Sequence, residues 1–128
     1  MTATRQTLEA ILRADPDLVF AVLVGSRATG REQAHSDWDI ALQWRDELTW
    51  MEVLAKTETL RRKLALATGV PESAIDLIEM RRANLAMRAS VAEEGQILAG
   101  ADSLGWAQFL RRTWRDLEDF YWEQRHAA

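Results

Sequence analysis

The chain of 128 residues is 48% hydrophobic, carries a formal net charge of −4 and contains no cysteine. Its length and composition indicate a single domain over residues 1–128 with an apolar core of its own. The absence of thiols excludes disulfides and cysteine chemistry. The negative net charge argues against direct binding of nucleic acid, which usually needs a basic face.

Two features of the sequence predict the cellular location. The N-terminus is polar, and no apolar run approaches the roughly 20 residues that cross a bilayer. We therefore expect a cytoplasmic protein that makes no contact with a membrane.

Hydrophobic patterns along the chain predict a small α+β domain, because short apolar runs typical of buried strands are separated by amphipathic runs typical of helices. In chain order we expect a helix over 5–14, a strand over 18–24, a strand over 38–44, a helix from 50 to about 67, a strand over 75–78, a helix over about 82–94, a strand over 95–98 and a helix over about 106–125. These elements predict a small mixed sheet of three to four strands with helices packed mainly on one face.

The turn after the first strand has residues suited to binding phosphate. Gly25 ends the strand, and glycine permits a tight turn and a close approach of a ligand to the backbone. Ser26 adds a hydroxyl where a helix can begin, and free N–H groups at a helix start favour phosphate. Arg27 is either a surface charge or a phosphate contact, since guanidinium binds phosphate with two donors.

Two carboxylates stand at the beginning of the second strand. Asp37 and Asp39 are two residues apart, so their side chains point to one face. Proteins hold Mg²⁺ with one or two carboxylates plus substrate phosphates, and such a pair can bridge two ions about 3.5–4 Å apart. Together with the turn, the pair indicates a site for a nucleoside triphosphate and Mg²⁺, although an ordinary solvated strand end is the alternative. Ser36 either caps a turn or helps to hold the nucleotide, and we favour the cap.

A third carboxylate, Asp76, interrupts the apolar run over 75–78. An unpaired carboxylate on a buried strand is costly, so we expect a metal, a partner or water beside it. It is the best candidate for fixing the ions and accepting a proton. The alternative is a turn or cap acid following Pro71.

These motifs resemble the signature of the DNA polymerase β-like nucleotidyltransferases. The family pattern is Gly-Ser, ten residues, Asp-x-Asp, and a third Asp on a later strand, which Gly25, Ser26, Asp37, Asp39 and Asp76 match. More narrowly, residues 20–98 resemble the minimal nucleotidyltransferases, the MNT or MntA-like antitoxins.

The resemblance implies a polymerase β-like fold and one minimal nucleotidyltransferase domain. It also implies that the three aspartates are catalytic and bind two Mg²⁺ ions. Nucleotide binding is expected at Gly25, Ser26, Arg27 and Ser36.

The resemblance further implies a function. MNT antitoxins pair with HEPN-domain toxins, which are RNases, and transfer AMP from ATP to a toxin tyrosine. We therefore expect ATP as substrate and a HEPN toxin as partner in a type VII toxin–antitoxin system. Two other functions stay open: a small-molecule nucleotidyltransferase similar to the aminoglycoside enzymes, which usually carry a further helical domain, and a non-catalytic antitoxin that blocks its toxin by binding alone.

The last predicted helix, over about 106–125, is apolar around much of its circumference. Most of this apolar face is expected to pack on the domain's own core. Arg111, Arg112 and Arg115 lie beside the aromatic residues and favour a partner surface on another side of the helix, because Arg and Trp are frequent in interfaces. We expect Trp122→Ala to lower partner binding more than thermal stability.

Overall fold

The computed structural model describes residues 2–33 and 36–127. Within these ranges the chain forms four α-helices and four strands. In chain order they are α1 (Thr2–Ala14), β1 (Leu18–Val24), β2 (Trp38–Trp44), α2 (Trp50–Thr68), β3 (Ile75–Glu79), α3 (Leu85–Glu94), β4 (Gln96–Ala99) and α4 (Leu104–His126). The predicted α+β class and the mixed sheet are confirmed.

The four strands form one sheet in the order β3-β2-β1-β4. β1 pairs antiparallel with both β2 and β4, whereas β2 and β3 run parallel. As a result, the end of β1 lies beside the start of β2, which in turn lies beside the start of β3. The three sequence motifs are thereby brought to one end of the sheet.

The helices divide between the two faces of the sheet. Leu8 of α1 and Leu64 of α2 are completely buried against one face. Val91 of α3 and Phe109 of α4 are buried against the other face, beside Phe20 of β1. This differs from the expectation that the helices gather mainly on one face. The physical reason is that β1 is apolar on both of its sides, so each side needs a cover.

Capping residues explain where the helices begin. Thr49 and Glu52 form a capping box at the start of α2, as their spacing indicates, and Gly69 ends that helix in a left-handed conformation. Asn84 caps α3, which therefore begins three residues later than predicted. Ser103 caps α4 and accepts a hydrogen bond from the Trp106 backbone N–H, so this helix begins two residues earlier.

None of the helices in residues 2–33 and 36–127 is both long enough and apolar enough to cross a membrane.

Candidate active site

Gly25 lies directly against the carboxylate of Asp39. The β1–β2 pairing places Val24 opposite Asp39, so the turn that follows β1 passes over that side chain. Gly25 has a φ of 73°, and a Cβ built on it would lie 2.3 Å from Asp39 Oδ2. Both the backbone conformation and the available space therefore require glycine here.

Asp39 and Asp76 are neighbours across the parallel β2–β3 pair, where they are partners in register. Burial raises the pKa of Asp39 above its ordinary value, and the charges of Asp76 and Asp37 raise it further, while Arg27 opposes the shift. Asp37 and Asp76 therefore both act on Asp39 through space. A divalent cation would relieve this repulsion, and oxygen donors of this kind suit Mg²⁺.

The three acids differ in exposure: Asp39 is half-buried, whereas Asp37 and Asp76 are exposed. Asp76 is thus not a buried strand acid, because β3 forms an edge of the sheet. Within the described ranges, no three His, Asp or Glu side chains are gathered closely enough to enclose a metal by themselves. The donor set fits an ion whose remaining ligands come from substrate phosphates and water, which is how Mg²⁺ is usually held.

Arg27 connects the turn to the loop that precedes β2. Its Nη2 donates to the Ser36 carbonyl at 2.9 Å, and its guanidinium carbon lies 4.0 Å from the centre of the Trp38 ring. Its Nε is buried and has no hydrogen-bond partner among the residues that the structure describes. In this arrangement the Arg27 side chain positions the acidic loop, meaning the segment that precedes β2 and carries Asp37, against the turn.

The two serines of the site differ in how their hydroxyls are used. Ser36 Oγ accepts from the Gln33 backbone N–H at 2.8 Å, which is the turn cap that the sequence favours. The Ser26 carbonyl accepts from the Arg31 N–H at 2.9 Å. The Ser26 hydroxyl makes no hydrogen bond within the described part of the chain and is available to a ligand.

Residues that the sequence did not single out complete a cleft of about 180 Å³ beside this turn. Its lining residues are Val24, Gly25, Ser26, Thr29, Arg31, Ser90 and Glu94. Arg31 is held in place by its Nε, which donates to Thr29 Oγ1 at 3.0 Å. Ser90 and Glu94 are four residues apart on α3, so their spacing indicates one helix face, but only the packing of α3 shows that this face meets the turn.

A larger cleft, about 450 Å³, lies at the opposite end of β2 and is lined by residues that include Trp44, Trp50 and Leu54. Its acids, Asp46 and Glu79, already contact Arg81. Although this cleft is larger, the candidate site lies at the other end of β2, where the sequence motifs meet.

The backbone after the turn is anchored to the last strand. Gln96 of β4 donates from its Nε2 to the Ala28 carbonyl, and its Oε1 accepts from Arg5 of α1. The first helix, the turn and the last strand are joined through this one side chain.

Residues 6–104 match the family model described as polymerase beta, nucleotidyltransferase. No curated protein matches the chain. Among solved structures, the chain is similar to a toxin–antitoxin crystallised with AMP-PNP, with a TM-score of 0.71, 25% identity and coverage of 94% of this chain and 92% of that one.

Two further solved structures share the architecture. The toxin–antitoxin MntA-HepT gives a TM-score of 0.67 at 25% identity, covering 98% of this chain and 93% of that one. The complex of tri-AMPylated Shewanella oneidensis HEPN toxin with MNT antitoxin gives 0.66 at 23% identity, covering 97% and 92%, and this likeness concerns the fold.

Proposed function

The chain belongs to the polymerase β nucleotidyltransferase family, and we propose on that premise that it is an MNT antitoxin that transfers AMP from ATP to a tyrosine of a HEPN-domain toxin. The resemblance drawn from Gly25, Ser26, Asp37 and Asp39 is confirmed by the family match and by the structural likeness to MNT antitoxins. The nucleotide, the acceptor and the dependence on Mg²⁺ belong to the proposal.

The convergence of three strands at one end of the sheet is the observation that carries this proposal. Gly25 follows β1, Asp39 lies on β2 and Asp76 lies on β3, and the pairing of these strands places Asp39 between the other two residues. Because Gly25 contacts Asp39, the turn that we propose to bind phosphate lies directly beside a carboxylate with a raised pKa. A nucleoside triphosphate with its cation requires donors for the phosphates beside carboxylates for the cation.

Each step of the proposed transfer can be assigned to particular residues of this site. The Ser26 hydroxyl and the N–H groups of the turn would bind the β- and γ-phosphates. Asp37, Asp39 and Asp76 would hold two Mg²⁺ ions, which supply charge neutralisation of the triphosphate and a lower pKa for the acceptor hydroxyl.

The acceptor oxygen would then form a bond to the α-phosphorus while the bond to the β-phosphate oxygen breaks and pyrophosphate leaves. Asp76 is exposed and would take the proton of the acceptor hydroxyl. This exchange leaves AMP attached to the acceptor and needs no further reactant.

A protein acceptor is supported by the open site. Asp37 and Asp76 are exposed. Within the described residues, all four strands form one sheet and the four helices pack on its two faces. No separate layer of described residues covers the acids, so a second molecule can bring its hydroxyl to them. The similar solved toxin–antitoxin structures, one of which contains a HEPN toxin, support a HEPN protein as that molecule.

The decisive experiment uses ATP labelled on its α-phosphate, Mg²⁺ and the HEPN-domain protein encoded by a neighbouring reading frame. We expect label on the HEPN protein with the wild-type chain and with Asp102→Asn, a change in an exposed loop acid. Asp37→Asn should abolish the label. Replacing the acceptor tyrosine with Phe should abolish it as well.

Two outcomes would contradict the proposal and point to the other functions. Toxin neutralisation that survives Asp37→Asn without any label on the HEPN protein would indicate inhibition by binding alone. Label that appears only on an added small hydroxyl compound would indicate a small-molecule nucleotidyltransferase.

A further inference from the structure

A cleft lined by arginines lies between α4 and the end of β2. Its volume is about 320 Å³, and one wall is a single face of α4. The lining residues are Gln43, Asp46, Arg81, Gly105, Gln108, Phe109, Arg111, Arg112 and Arg115. Those on α4 recur at intervals of three and four residues, which places them along one side of the helix.

The cleft carries an excess of positive charge. Four guanidinium groups face one carboxylate, that of Asp46, which already forms an ion pair with Arg81. Arg111 and Arg112 are exposed and form no ion pair or hydrogen bond within the part of the chain that the structure describes. Arg115 is 3.8 Å from its neighbour Asp116, whose other oxygen lies 3.1 Å from Arg88. A chain with a net charge of −4 thus concentrates free positive charge at one place.

The cleft shares a face of the sheet with the catalytic acids. Gln43 and Asp39 are four residues apart on β2, so their side chains point to the same face. The rise of a strand separates them by roughly 13 Å. A molecule bound in the cleft would therefore lie within a short reach of the carboxylates.

We propose that this cleft, defined by Arg81, Arg111, Arg112 and Arg115, binds acidic side chains of the protein whose hydroxyl is modified. The inference rests on the proposed function, because it names the chemistry of the acceptor protein. Arginine pairs with carboxylates through two parallel hydrogen bonds, and the amides of Gln43 and Gln108 can bind the remaining polar groups.

A protein surface fits the cleft better than nucleic acid does. The basic area is confined to one cleft of about 320 Å³ on a chain of net charge −4, whereas nucleic acid is usually bound along an extended basic face. Trp122 is 56% exposed and follows Arg115 by seven residues on the same side of α4. An aromatic side chain next to arginines is typical of protein interfaces.

The test compares two variants that each remove two positive charges from exposed helix positions. Arg111→Gln with Arg112→Gln alters the cleft, and Arg62→Gln with Lys63→Gln makes the matched change on α2. The affinity of each for the HEPN-domain protein is measured at about 50 mM and about 300 mM salt, because exposed charges are screened by salt. Separate titrations use deca-glutamate and decauridylate as probes, and a thermal shift with ATP and Mg²⁺ reports on the nucleotide site.

We expect the cleft variant to bind the HEPN protein about tenfold more weakly and the control variant within about twofold of wild type. The loss of affinity should be smaller at the higher salt concentration. Deca-glutamate should likewise bind the cleft variant more weakly than the control variant and the wild-type chain. The thermal shift with ATP and Mg²⁺ should be the same in all three proteins.

Equal weakening in the cleft and control variants would overturn the inference. Tighter binding of decauridylate than of deca-glutamate, lost in the cleft variant, would overturn it in favour of nucleic acid. If the wild-type chain binds no HEPN protein, the proposed function fails, and the deca-glutamate titration alone then decides whether the cleft takes carboxylates.

Discussion

The two ends of β2 carry opposite charge, and they hold it in different ways. At the start, half-buried Asp39 lies against the backbone of Gly25 and beside the charges of Asp37 and Asp76. At the end, Gln43 faces arginines that extend from exposed positions of α4. Charge is costly where it is desolvated and fixed, and nearly free where it is solvated. We therefore expect the start of β2 to bind a specific ion and the end of β2 to make an adaptable contact.

The largest expected effect comes from Asp39→Asn. We expect the rate of AMP transfer at saturating Mg²⁺ to fall by roughly 100- to 1000-fold, because a catalytic metal contributes several kcal/mol to the transition state. Initial rates with labelled ATP measure this. Asp102→Asn is the control, and an unchanged rate in Asp39→Asn would remove the metal assignment from this strand.

Replacing Gly25 should reduce stability through its contact with Asp39. Gly25→Ala should lower the free energy of unfolding by roughly 2–4 kcal/mol, since it combines a left-handed backbone with a steric clash. Gly30 provides the matched control, because its φ is 75° but a Cβ there would meet nothing within 4 Å. Gly30→Ala should therefore cost only about 1 kcal/mol. Denaturant unfolding measures both, and equal losses would show that the contact with Asp39 does not matter.

Arg27→Ala should have a smaller effect on stability, about 1–2 kcal/mol. The change removes one hydrogen bond to the Ser36 carbonyl and the stacking on Trp38. Arg31→Ala, which removes an exposed contact to Thr29, should change the free energy of unfolding by less than about 0.5 kcal/mol. The interpretation of Arg27 as the side chain that positions the acidic loop fails if the two variants are equally stable.

The raised pKa of Asp39 predicts how stability depends on pH without divalent ions. The folded state holds this proton more tightly than the unfolded chain, whose Asp has an ordinary pKa of 3.8. The unfolded chain therefore binds fewer protons over the window from 3.8 up to the raised value, so stability falls as pH rises through it. We expect the Tm of wild type minus that of Asp39→Asn to decrease across this window. A difference that stays constant or grows would contradict the electrostatic account of the acidic end.

The smallest effect is expected at the basic end. Arg111→Gln with Arg112→Gln should leave the free energy of unfolding within about 0.5 kcal/mol of wild type, because neither side chain is paired within the described residues. Chemical denaturation checks this. A loss of several kcal/mol would mean that these arginines stabilise the fold, and the contrast between the two ends would disappear.

Local signals in the sequence were sufficient for much of the fold. The apolar run before Gly25 predicts β1, and the spacing of Thr49 and Glu52 predicts the start of α2, because both depend on neighbouring residues. The Gly-Ser and Asp-x-Asp spacing also located the candidate site, since an antiparallel pair of strands brings the end of one beside the start of the next.

Features that depend on packing between distant elements could not be obtained in the same way. The exposure of Asp76 follows from the edge position of β3, which only the strand order reveals. The division of the helices between the two faces of the sheet likewise depends on the face over which each connection between strands passes. The arginine cleft requires the position of α4 relative to Gln43 and Arg81, although the spacing of Arg111, Arg112 and Arg115 already indicated one helix side.

The anchoring of Ala28 by Gln96 has a consequence for the order of folding. These two residues are 68 positions apart, and β4 must pair with β1 before the contact can exist. Contacts between distant parts of a chain form late, because the intervening loop must close first. During synthesis, a chain that ends before β4 would contain Gly25, Ser26 and all three aspartates, yet its turn would lack this anchor. The end of the sheet that carries the candidate site, although encoded early, is completed by the last strand to be synthesised.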